Sequence, residues 1–89
     1  MRAVVTVMGK DRTGIIAGTS TLLANNDVNI LDITQTIIRD IFTMVMLVDI
    51  GASKLDIAAL SEQLEALGAE LGVEIRIQHE DIFNSMHRI

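Results

Sequence analysis

The stretch from Gly9 to Gly18 (GKDRTGIIAG) places three glycines, two cations and one carboxylate between two apolar runs. Glycines let a ligand approach the backbone, and the first turn of a helix leaves N–H groups without intrahelical partners, so a loop of this kind can cradle an anion. The spacing Gly9-x4-Gly14 satisfies the first half of a Walker A loop. The second half fails, because Ile15-Ile16 stands where Lys and Ser or Thr must reach phosphate and magnesium. The dinucleotide fingerprint G-x-G-x-x-G is also absent from the loop. Two readings stay open. The N–H groups near Gly14 to Ala17 hold a carboxylate or phosphate, or the loop is a tight turn that packs a helix on a sheet. Gly18 reads as a packing contact.

Outside the loop the chemistry is sparse. Asp32 and Thr34 share a strand face and could line an interface, while Gln35, between Ile33 and Ile37, reads as a buried hydrogen-bonding residue ahead of a ligand contact. His79 and His87 have no metal-ligand spacing and read as surface or interface residues. There is no cysteine and no evident nucleophile–base pair. The expectation is no catalytic residue, no metal and no cofactor.

The elements that must position the loop follow from periodicity. Arg2–Met8 is β-branched and reads as a strand ending at Gly9. Thr13–Asn26 reads as a helix with Ile15, Ile16, Thr19, Leu22 and Leu23 on one arc, capped by Asp11 or Thr13 and ended by Asn25-Asn26. Val28–Ile38 and Ile41–Ile50 read as two strands joined at an Arg39-Asp40 hairpin tip that lacks glycine. Ser53-x-x-Asp56 resembles a capping box. It opens a second helix whose stripe is Ile57, Leu60, Leu64, Leu67 and Leu71, and Gly72 stops it. Val73–His79 alternates as a fourth strand, and Glu80–Ile89 can form a short amphipathic helix through Ile82, Phe83, Met86 and Ile89.

The order βαββαβ is that of a ferredoxin-like α+β sandwich, an antiparallel four-stranded sheet with two helices on one face and here a short C-terminal tail helix. Strands one and three should be central and strands two and four edges. Strand three is apolar on both faces, so its second face needs cover from the tail and from another subunit. A homodimer is the simplest expectation.

Composition bounds the function. The 89 residues suffice for one domain, 1–89, and the 49% hydrophobic content argues for an ordered globule that buries some surface against a partner. The net charge of −5, with only Phe42 and Phe83 as aromatics, argues against nucleic acid as a partner. The N-terminal MRAVVTV lacks the apolar stretch of a signal peptide and no run is apolar enough to span a bilayer, which reads as a cytoplasmic protein without a membrane partner.

Gly9-Lys10-Asp11-Arg12-Thr13-Gly14-Ile15-Ile16-Ala17, followed by Asp27-Val28-Asn29-Ile30, resembles the start of an ACT domain. The loop is similar to those of the formyltetrahydrofolate deformylase regulatory domain and the glycine-cleavage repressor, and the whole chain resembles a small stand-alone ACT family of unassigned function. The resemblance implies a non-enzymatic regulatory module that binds a small amino acid at a homodimer interface and acts on an unidentified protein. It implies a site made from Asp11, Arg12, Thr13, Gly14 and Ile15 of the loop with Asn29 and Ile30 at the start of the second strand. Asp11 would accept from a ligand ammonium and Asn29 would offer donor and acceptor. Thr13 stands where many family members carry proline. Two other functions are weighed: a small acyl-phosphate hydrolase using Arg12 as a phosphate clamp and Asn29 to orient water, and an adaptor without a ligand.

Overall fold

The computed structural model describes residues 1–86. Ile89 and His87, both weighed above, lie outside the described residues. The chain runs β1 (Arg2–Lys10), α1 (Ile15–Asn25), β2 (Asn29–Ile38), β3 (Ile41–Asp49), α2 (Ile57–Leu71), β4 (Val73–His79) and α3 (Glu80–Met86). The sheet order is β2-β3-β1-β4 with every neighbouring pair antiparallel, so β1 and β3 are central and β2 and β4 are edges, as the sequence indicates.

The alternation of each strand fixes two faces. Ala3, Val5 and Val7 of β1, Phe42, Met44, Met46 and Val48 of β3, and Ile75 and Ile77 of β4 are buried beneath the helices. From above, Ile15, Thr19 and Leu23 of α1 and Leu60 and Leu64 of α2 close this core. Ile16, placed on the apolar arc by periodicity, is 40% exposed, because the buried arc of α1 is narrower than its apolar arc. The Thr19 hydroxyl is buried without a hydrogen-bond partner.

Both helix starts differ from expectation. Neither Asp11 nor Thr13 caps α1; Gly14 occupies the N-cap with φ 94° and no side chain bonds the first turn. Asp56 alone caps α2, its carboxylate accepting from Ala59 N–H at 2.9 Å. Ser53 instead closes a turn of its own, accepting from Leu55 N–H and donating to Leu55 C=O. The helix C-termini behave as expected. Asn26 ends α1 and donates from Nδ2 to Leu22 C=O, and Gly72 ends α2 with φ 74°. Arg39 supplies the positive φ (58°) of the hairpin tip that glycine would adopt more easily.

The second face of the sheet is partly covered by α3. Arg2 holds Glu80 through Nε and Nη2, Gln78 donates to the Met86 sulfur, and Phe83 lies beside Met8 and Val45. Beyond α3 the cover stops. Met8 (55%), Ile41 and Val45 remain exposed. Residues 31–40 are exposed on both faces, including Ile37 (52%) and Ile38 (66%). Gln35, expected to be buried, shares this exposed strand with Ile33 and Ile37, because only Ile30, at the start of β2, packs against the core and the strand from Leu31 onward is left uncovered.

Gly68 sets how closely α2 sits on β4. A Cβ there would lie 2.6 Å from the Val73 carbonyl oxygen. At Gly18, by contrast, a Cβ would meet Leu67 and Leu71 at an ordinary 3.5 Å. Gly68→Ala should therefore lower unfolding stability by about 1–3 kcal/mol through overpacking. Gly18→Ala should raise it by roughly 0.5–1 kcal/mol through helix propensity. Urea unfolding of the two variants beside the parent checks the opposite signs.

Candidate functional site

The loop after β1 is held by two neighbours. Asp11 N–H donates to Asp40 C=O at 2.7 Å, which ties the loop to the β2–β3 hairpin tip. The Arg12 guanidinium donates to Leu71 C=O at 3.0 Å and so covers the C-terminal carbonyls of α2. Lys10, Asp11, Arg12, Leu71 and Gly72 together line a pocket of about 440 Å³. Beside it α1 begins at Gly14, where a Cβ would meet nothing within 4 Å. With no capping side chain and no acidic residue in the first turn, the partial positive charge of this helix start is left for an anion.

The sequence-derived site residues divide into two groups. Asp11, Arg12, Thr13 and Gly14 are exposed together at the loop. Ile15 follows them, but its side chain is in the core (2% exposed), so only its backbone N–H faces the loop. Asn29 and Ile30 open β2 at the other end of the sheet: Asn29 pairs with Asp49, which pairs with Arg2, whereas Lys10, next to Asp11, pairs with Ile41. The whole length of β1 separates the groups, roughly 30 Å at the rise of a strand. One protomer does not bring Asp11 and Asn29 onto a single ligand. The same separation keeps Arg12 and Asn29 from clamping one phosphate within a protomer, and Arg12 is already engaged on Leu71.

Sequence reasoning missed the groups that flank these residues. Asp49 sits across from Asn29 on the same face. Its carboxyl is held below the usual carboxylate range, first by the Gly51 N–H at 2.8 Å and then by the N-terminal ammonium at 3.6 Å. The alternation of β3 places Asp49 on the open face, but nothing in the sequence pairs it with Met1. The Asp11–Asp40 and Arg12–Leu71 bonds engage backbone carbonyls, which carry no sequence signal. Elsewhere, His79 accepts from Asp81 N–H at 3.1 Å, and among the described residues no cluster of three or more His, Asp or Glu could hold a metal. No helix among them is long and apolar enough to cross a membrane.

Comparison with known proteins decides the family. Residues 2–78 match the family model described as ACT domain. The chain belongs to the ACT domain family. It is 59% identical over 88 residues to the UPF0237 protein of Methanocaldococcus jannaschii, covering 99% of this chain and 98% of that one. An ACT domain protein from Streptococcus pneumoniae superposes with a TM-score of 0.82 at 43% identity, covering 93% of each chain. A formyltetrahydrofolate deformylase from Pseudomonas syringae superposes with a TM-score of 0.80 at 22% identity, covering 88% of this chain and 27% of that one, and so shares the fold. ACT domains are typically small-molecule-binding regulatory modules.

The depressed Asp49 carboxyl makes a pH prediction for this ACT domain. A carboxyl whose folded pKa is lowered stabilises the fold above its unfolded pKa, and the contribution is lost as pH falls through the folded value. Asp49→Asn should lower the melting temperature at neutral pH. The difference from the parent should close only as pH falls below the usual carboxylate range. Thermal melts across that range check it.

Proposed function

We propose that this ACT domain is a regulatory sensor of a small free amino acid, such as glycine or serine, bound where two copies of the chain meet. The observation that carries the reading is the division of the site. An uncapped helix start beside Asp11 offers a carboxylate seat and an ammonium acceptor, and Asn29 lies a full strand length away. Two copies joined antiparallel along β2 bring the start of one β2 to the end of the other. That end is the hairpin tip whose Asp40 carbonyl holds Asp11. Asn29 of a second copy then stands near the loop of the first. The exposed Ile33 and Ile37 on one face of β2, and Ile38 on the other, are the surface such a junction would bury.

In this arrangement the ligand carboxylate takes the first-turn N–H groups of α1. Asp11 accepts from the ammonium, and Asn29 of the second copy bonds the remaining polar edge. Gly14 keeps the approach open. The regulated protein is a contact partner, reached through surfaces the dimer leaves free.

A ligand bound only to the folded state must raise its melting temperature. Glycine or serine should do so for the parent, and Asp11→Ala or Asn29→Ala should each abolish the shift while leaving the protein folded. Because each pocket would take Asp11 from one copy and Asn29 from the other, an equal mixture of the two variants, unfolded and refolded together, should regain about a quarter of the native binding sites by calorimetry. No recovery on mixing, or no thermal shift with any common amino acid, overturns the reading.

A further inference from the structure

The second sheet edge differs in kind from the first. Among the described residues β4 has β1 as its sole strand neighbour, and its register runs unbroken from Ala3–His79 to Gly9–Val73. Every second residue of such a strand turns its N–H and C=O away from the sheet. Natural edge strands are blunted by bulges, prolines or charged side chains. β2 carries a bulge between Ile30 and Asp32, but Val73–His79 has no bulge and no proline, and its two charges, Glu74 and Arg76, are paired with each other. A groove of about 740 Å³ runs along this free edge, walled on the other side by Ser61, Glu65 and Ala69 of α2 and by Gly72 at its end. The close seating of α2 at Gly68 holds that wall against β4.

The charges of the groove are one-sided. Arg76 is neutralised by Glu74 on its own strand. Glu65 has no such partner among the described residues that line the groove, so the lining is left with one net negative charge; Glu62 and Glu70 lie elsewhere on α2, which has no lysine or arginine. We infer that β4 and α2 form a docking groove for an extended basic segment of a partner protein, which adds as a fifth strand on β4. Main-chain hydrogen bonds to the β4 edge would hold the segment, and a cationic side chain toward α2 would meet Glu65. Val73–Gln78 spans roughly 20 Å at the rise of a strand, room for six residues. The groove shares no residue with the Asp11 and Asn29 groups apart from Gly72 at its end. It stands apart from the amino-acid reading and gives the domain a surface through which to act.

The test uses the full chain and an acetylated, amidated six-residue peptide of alternating lysine and valine. Two-dimensional NMR should show the peptide shifting the amide signals of residues 73–78. An alternating glutamate–valine peptide should not bind. Nor should the lysine peptide with every second amide methylated, since it loses the donors that face the edge. Glu65→Lys should weaken binding about fivefold or more, and Ala69→Trp, which fills the groove from an exposed position, should abolish it. Neither variant should alter the thermal response to amino acids, so failure here is distinguishable from failure of the sensor. The inference is overturned if the methylated or acidic peptide binds equally, if the shifts fall on residues 29–38, or if the β4 edge proves to be occupied by β4 of a second copy.

Discussion

The antiparallel pairing of β1 with β3 governs what this molecule can do alone. It fixes the loop that ends β1 at one end of the sheet and, through β3, the first residues of β2 at the other. No side-chain rotation bridges that distance. A site that uses both groups must be composite, and the fold therefore makes ligand recognition and self-association a single question. The same pairing buries Val5, Val7, Met44 and Met46 completely, so the constraint is also the centre of the core and is not adjustable by local change.

Surface apolarity is the second consequence. A half-apolar chain of this size has more hydrophobic side chains than two helices and a four-stranded sheet can hide. Much of the surplus gathers along β2 and the adjoining strip of the open face, where Ile33, Ile37, Ile38, Ile41 and Val45 remain in contact with water. α3 covers the other half of the open face, anchored by the paired Arg2 and Glu80. The open face thus has one half under α3 and one bare half, and α3 itself leaves Ile82 and Met86 exposed.

Much of the architecture was legible because period and position agreed. Val73–His79 was readable to the residue from its alternation, and the handedness of the crossovers put β1 and β3 at the centre before any pairing was known. The capping residues were less legible. Asp11, Thr13 and Ser53 all have the right chemistry for a helix start, but which of several adjacent polar residues does the capping depends on where the chain turns, and that is set by packing. Gln35 misled for a related reason: isoleucine neighbours signal burial only if something lies above them, and beyond Ile30 no described part of the protomer covers β2. The resemblance offered Asp11 to Ile15 with Asn29 and Ile30 as one candidate set, and their division between the two sheet ends was hidden until the register was known.

The hydrogen bond from Asp11 N–H to Asp40 C=O joins the loop to the hairpin by main chain alone. A side-chain relay can be silenced by truncating one residue; an amide-to-carbonyl link survives every substitution except proline. If occupancy of the loop is communicated to the β2 edge along this link, scanning mutagenesis will pass over the conduit and report only its two ends.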